Sequence, residues 1–340
     1  MDTNFILQSL IEAQSSLPLG LFNGRLGMCL YLFYAGEETH ANEWLKNIIK
    51  ELPNLHGTIQ VDKGLCGAGW LMSLLIEKGW LCGDINEAVR EIDDCMFRQL
   101  AYEKYSQNYG LQDRIHLLYY LNKRLKAQEK GSEAEYLYRQ LAIRTLDDLF
   151  CQITEPQAMN EPANYTLNYE LPQILFLFST LLTSQWAKMR ILKQTTILES
   201  SVLSSFPLSQ GNRLYLLCAL EEILRHKEMQ RKEWAEYNSM LAQYTDPHYI
   251  LNHEMGNKSI YLQDGMPSIY FLLTRRKEYR PQLAEYRERI MKAINNSPEW
   301  KLLSDNKAYL YSHLGLYQGI SGTALAYNWM EQDKRKGELL

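Results

Sequence analysis

The sequence predicts an all-α fold built from seven helical hairpins, and three observations lead there. Seven short segments, each opening on glycine or polar residues and running into an apolar stretch, recur at intervals of roughly 40–60 residues, the mark of a repeat architecture. Amphipathic stretches with a charged face lie between them. Strand signals are sparse: few segments alternate strictly, and no Asn-Gly or Asp-Gly turn sits between two β-rich runs.

The elements follow in order. The first hairpin pairs an amphipathic segment at 3–14 with an apolar run from Gly24, GRLGMCLYLFY. The second pairs 41–52 with GLCGAGWLMSLL from Gly64. In the third, Val89, Ile92, Met96 and Leu100 recur at three- and four-residue steps within 84–103, ahead of GLQDRIHLLYYL from Gly110. The fourth joins 132–150 to ELPQILFLFSTLL from Glu170, a copy without glycine. The fifth joins 186–203 to GNRLYLLCALEEIL from Gly211, and the sixth 232–244 to GMPSIYFLL from Gly265. The seventh joins 282–294 to GISGTALAYNW from Gly319. Each apolar run is hydrophobic nearly all round, as a helix buried on most sides must be, so these are inner helices and the amphipathic ones outer. Full Gly-x-x-Gly steps stand at Gly24, Gly64 and Gly319.

Two arrangements fit: an open solenoid, or a closed α/α toroid with seven inner and seven outer helices. An open solenoid needs atypical, polar end units. Here the first and last repeats are among the best-preserved copies, which favours closure of the seventh repeat on the first, in one domain over 1–340.

Composition excludes several classes of function. The 340 residues are 46% hydrophobic and 22% charged, with net charge −4, and no basic run of nucleic-acid type occurs. The densest stretch, Lys123 to Lys126, reads as a solvated helix end. MDTNFILQSLIEAQ lacks the basic and unbroken apolar regions of a signal peptide, and no stretch has the length of a membrane span. The six cysteines form no C-x-x-C pair, which suits thiols of a reducing compartment, so a cytoplasmic location is expected. Cys29, Cys95, Cys151 and Cys218 fall in apolar runs and read as packing thiols, and Cys66 as a small residue at a close helix contact.

GLFNGRLG, GLCGAGW and GLYQGISGTALA resemble the Gly-rich inner-helix starts of lanthionine synthetase C-like (LanC) cyclases, and the resemblance covers all seven repeats. It implies an α/α toroid. It also implies a zinc ion that holds a peptide cysteine as thiolate for addition to a dehydroamino acid. The family's ligands are a cysteine two residues before the fifth repeat's glycine and a Cys-His pair directly before the sixth's. Here Ser209 takes the first place and Gln263-Asp264 the other two, a poor set for zinc. The family's acid/base histidine at the fourth inner helix is matched by Asn168-Tyr169-Glu170, and an aspartate near the third by Ser106-Gln107-Asn108. The resemblance therefore implies a peptide-maturation protein without zinc, noncatalytic or acting as a scaffold for a precursor peptide or a peptide-modifying partner enzyme. The alternative is an active thioether cyclase with a rearranged or zinc-free site; Cys66 and His116 are the candidates for any relocated metal.

The best place for a ligand in such a shell is the mouth where the inner helices start, whose N–H groups and dipoles suit anions or polar peptide groups. The residues beside those starts are Asn23, Arg25, Lys63, Asp113, Arg114, Tyr169, Glu170, Asn212, Arg213, Gln263, Asp264, Tyr317 and Gln318, with Ser209 and His116 nearby. Helix capping accounts for single members such as Asn23 and Asp264, and local pairing for Arg114 with Asp113. Asp113, Glu170 and Asp264 also raise a third reading, a carbohydrate-processing α/α barrel with two carboxylates across its mouth, but the tryptophans are scattered. Twenty-three tyrosines, several in the stretches 102–110 and 162–171, suit a recognition surface instead.

Overall fold

The computed structural model describes residues 4–13, 17–52, 59–62, 64–102, 109–153, 160–255 and 259–337, and all regular structure among them is helical. The chain runs through α1 (Asn4–Ala13), α2 (Arg25–Tyr34), α3 (Glu38–Glu51), α4 (Leu65–Glu77), α5 (Ile85–Ala88) and α6 (Arg90–Tyr102). Then come α7 (Leu111–Lys126), α8 (Glu133–Ile153), α9 (Glu170–Leu182), α10 (Gln185–Ser204), α11 (Gln210–Leu224), α12 (Lys232–Gln243) and α13 (Pro247–Tyr249). A π-helical turn, Ile250–Glu254, follows α13. The last elements are α14 (Met266–Thr274), α15 (Leu283–Asn296), α16 (Pro298–Asp305), α17 (Lys307–Ser312) and α18 (Ile320–Gly337). Every predicted inner segment is a helix (α2, α4, α7, α9, α11, α14, α18), and so is every predicted outer one (α1, α3, α6, α8, α10, α12, α15). No helix among the described residues is long and apolar enough to cross a membrane.

The division into inner and outer helices is visible in burial. Along α9 Leu171, Ile174, Leu175, Leu177, Phe178, Leu181 and Leu182 are all buried, each worth about 1.5–3 kcal/mol relative to exposure. Along α3 only Ala41, Trp44, Leu45 and Ile48 are, one stripe of an otherwise polar helix. Lacking glycine, α9 starts instead with Pro172 in its first turn, where a missing N–H costs nothing.

The chain forms two compact units, Met1–Gln99 with Asn257–Leu340, and Leu100–Gly256. In the first, α4 packs on α2, α2 on α18 and α18 on α14, so the seventh inner helix does lie beside the first. In the second, α7 packs on α9 and α9 on α11. Five of the inner helices also pack on the outer helix that follows them: α2 on α3, α7 on α8, α9 on α10, α11 on α12 and α14 on α15.

The Gly-x-x-Gly step has a specific structural task. The loop before α2 folds back over its first turn: Arg25, Leu26 and Gly27 donate their N–H groups to Pro18 O (2.9 Å), Leu19 O (3.1 Å) and Gly20 O (3.5 Å). The first turn of α18 does the same, with Ile320 N donating to His313 O at 2.7 Å. The step's second glycine lies under the carbonyl six residues earlier. A Cβ on Gly27, Gly67 or Gly322 would come within 3.0 Å of Leu21 O, Val61 O or Leu316 O. The first glycines, Gly24 and Gly64, have extended backbone that any residue adopts, and Gly24 is likewise crowded by Pro18 O and Gly20. The glycines thus admit backbone to backbone, and the motif caps its own helix.

Two packing expectations change. Cys29, Cys66 and Cys218 are buried, and Cys66 rests against Met96 Sδ at 3.7 Å. Cys151 is exposed and Cys95 only half-buried, because both sit on outer helices at positions turned from the core.

Candidate functional site: the starts of the inner helices

In the first unit, hydrogen bonds join the loops before four inner helices. Asp62, two residues before Gly64, accepts from Phe22 N (3.0 Å) and Asn23 N (3.2 Å). Asn23 Oδ1 accepts from Gln318 N at 2.9 Å, and Tyr317 N donates to Phe22 O at 2.7 Å. Gln318 Nε2 donates to Gln263 Oε1, and Gln263 N to Tyr317 O at 3.0 Å. The loops of the second, first, seventh and sixth repeats are thereby stitched in that order. Asn23, Gln263 and Gln318 are thereby joined by hydrogen bonds. Asp264 stands exposed beside them, and its charge, after burial, helps hold the Tyr317 hydroxyl far above the usual phenol range.

Beside this ladder is a cluster that the sequence pattern did not single out. The hydroxyls of Tyr261 and Tyr309 both donate to Glu299 Oε1, at 2.6 and 2.9 Å. The His313 ring stacks on both tyrosines, with centroids 5.9 and 4.2 Å away. His313 Nδ1 lies 2.9 Å from Ser312 Oγ and 3.0 Å from Tyr309 O. Burial first, and then the shared carboxylate, holds the Tyr261 hydroxyl protonated well above its ordinary range.

In the second unit the start of α11 is held by two carboxylates. Glu254, at the end of the π turn, accepts from Ser209 Oγ (2.9 Å), Gln210 N (2.7 Å) and Gly211 N (2.8 Å). Glu161 accepts from Leu208 N (2.6 Å), Ser209 N (2.9 Å) and Asn212 Nδ2 (3.1 Å). Ser209 is also the N-cap, accepting from Asn212 N. These acids satisfy the orphan N–H groups of a helix start and sit at the positive end of its dipole. Arg213, buried, donates to the carbonyls of Pro207 and Tyr244 and lies 4.3 Å over the Phe206 ring.

The other anticipated residues divide clearly. Asp113 caps α7, accepting from Gly110 N at 3.0 Å, and Arg114 donates to the carbonyls of Tyr109 and Gly110. Arg25 pairs with Glu51 on α3. Tyr169 is buried with its hydroxyl 3.5 Å from Ser205 Oγ. His116 is half-buried one turn into α7. Lys63 and Ser106-Gln107-Asn108 lie outside the described residues. Glu170 is half-buried with no hydrogen bond or ion pair among the described residues, and burial raises its carboxyl above the usual range.

At three of the inner-helix starts the first-turn N–H groups already have partners within the chain. At α2 and α18 the loop carbonyls occupy first-turn donors, and at α11 the acids and the Ser209 side chain do. This geometry also tests the zinc that the resemblance implies. Ser209 Oγ donates to Glu254, Gln263 Oε1 accepts from Gln318, and Asp264 is exposed. Among the described residues no three His, Cys, Asp or Glu side chains gather as a metal cluster. The donor set at the three ligand places does not fit zinc. Comparison of the chain with protein-family models, curated proteins and solved structures found no match.

Proposed function

We propose that the chain is a LanC-like shell, its seven hairpins closed into an α/α toroid, that binds a ribosomal precursor peptide and supports its maturation without zinc. The observation that carries this reading is the start of α11. The residue in the family's first ligand place, Ser209, is tied into a cap whose carboxylate, Glu254, spends both oxygens on the helix. A side chain so engaged supports a scaffold role over a metal-held thiolate. The packing of α18 on α2 supports closure. The bulky apolar and aromatic groups left exposed near α11, Leu208, Tyr244 and Tyr249 among them, suit recognition of a polypeptide.

The test has two arms. Metal analysis of the purified chain is expected to find zinc far below one ion per chain. Selection of the full chain against a randomised displayed peptide library is expected to enrich a sequence class that binds as free synthetic peptide. Stoichiometric zinc defeats the zinc-free part of the reading, and a library that enriches no binder defeats the peptide part.

A further inference from the structure

Within the second unit, the segments that hold α11 also carry an exposed apolar surface. Leu208 is 86% exposed, next in sequence to the N-cap Ser209. Tyr244, 55% exposed, packs edge-on against Phe206, 42% exposed, with centroids 5.9 Å apart. Asp246 N donates to Gln210 Oε1 at 2.7 Å, which fastens the 244–246 turn to the same helix start. Tyr249, exposed, is three residues further, and its ring lies tilted against that of His253, the residue directly before Glu254, with centroids 4.8 Å apart. A leucine so fully exposed, among exposed rings, is costly to leave in water and marks a contact surface.

Acids outnumber cations around it. Glu161 and Glu254 hydrogen-bond to neutral N–H and O–H donors. Asp246 is exposed. Against these three acids stands Arg213, buried, donating to two backbone carbonyls, lying 4.3 Å over the Phe206 ring and near enough to Glu161 and Glu254 to offset part of their charge. Glu170 adds a further carboxylate at the start of the adjoining α9. The loop before α9 is tied to α11 by Thr166 N donating to Asn212 Oδ1 at 3.2 Å. Among the described residues Glu170 has no ion pair, and a half-buried carboxylate in that position is a group that an incoming cation stabilises strongly.

Resting on the peptide-binding reading above, we propose that Phe206, Leu208, Tyr244 and Tyr249, rimmed by Glu170 and Asp246, form the docking surface for a polypeptide segment with bulky apolar side chains flanked by lysine or arginine. The apolar anchors would cover Leu208 and the tyrosines, and the basic groups would meet the acids. Acidic segments are repelled by the same rim, which makes charge the source of selectivity.

Three fluorescein-labelled twelve-residue peptides test this by polarisation on the full chain: one of Lys, Arg, Leu and Phe, one with Glu and Asp at the basic places, and one with Ser at the apolar places. The first is expected to bind at least about tenfold more tightly than either of the others, and more weakly as salt rises. Leu208→Ser is expected to weaken it about tenfold with unchanged thermal midpoint, since the side chain is almost fully exposed. Glu170→Gln is expected to weaken it several-fold. Equal binding of the acidic peptide, or unchanged affinity in Leu208→Ser, overturns the surface. If the library selection still yields binders that ignore both substitutions, this surface is wrong and the peptide reading stands. If the selection yields none, both fall.

Discussion

Replacing Gly322 by alanine is the sharpest test of how the Gly-x-x-Gly step works. The new Cβ would lie closer than 3.0 Å to Leu316 O and 2.8 Å from Leu262 Cδ1. The leucine methyl has freedom to rotate aside, but the carbonyl is backbone. Relief means lifting the 313–318 loop from α18, at the expense of Ile320 N to His313 O (2.7 Å) and Ser321 Oγ to Leu314 O (2.6 Å). Two hydrogen bonds are worth about 2 kcal/mol, and overpacking strain adds about 2 kcal/mol. Alanine's better helix propensity returns about 1 kcal/mol. The expected net loss is therefore about 3 kcal/mol, read as a lower urea midpoint by far-ultraviolet circular dichroism. Gly110→Ala is the control, because its Cβ meets nothing nearer than Asp113 Oδ2 at 3.9 Å. It should cost no more than about 1 kcal/mol as a helix-cap change. Equal losses in the two variants, or a more stable Gly322→Ala, would refute the idea that the glycine is there to admit a carbonyl.

Three further expectations follow from the inner helices. Glu254→Ala leaves the N–H groups of Gln210 and Gly211 without their acceptor and should cost about 2–3 kcal/mol in urea denaturation, against about 1 kcal/mol for Ser209→Ala. The double variant should lose less than the sum, since one bond is common to both. Glu170 has its carboxyl raised by burial, so the folded chain holds that proton more tightly than the unfolded one and loses stability as pH climbs from about 4.5 through the raised value. Glu170→Gln should match the parent at pH 4 and exceed it at pH 7, and urea midpoints at the two pH values check the sign. The Tyr31 hydroxyl is fully buried on α2 and has no hydrogen-bond partner among the described residues, so Tyr31→Phe should be neutral or stabilising by up to about 1 kcal/mol in thermal melts.

Helical period and repeat spacing made the fourteen inner and outer segments legible, because burial imposes those patterns directly on side-chain choice. What the pattern could not convey is what the short connections do. α16, α17 and the α13–π segment are short and carry little periodicity. Yet they supply Glu299, Tyr309 and Glu254, which organise the helix starts. Asp62 and Glu161 are similar: single acids in loops, whose partners are backbone N–H groups tens of residues away. The hydrogen bonds among Asn23, Gln263 and Gln318 are not legible in spacing either, since a glycine's position says where a side chain stands and not which atom it faces. Arg25, Arg114 and Arg213, the obvious anion holders, are each drawn off by a neighbouring acid or carbonyl.

The order of the repeats along the chain also dictates when each unit can be finished. Leu100–Gly256 is one continuous stretch, so its three inner helices can assemble as soon as they have been synthesised. The other unit draws on both flanks: α2 must wait, with an apolar face uncovered, until α18 is made nearly three hundred residues later. α3 and α4 cover the apolar run from Gly24 early, but its face toward α18 stays open until Gly319 is passed, and a chain stopped before that point would carry this face open to aggregation or to a chaperone.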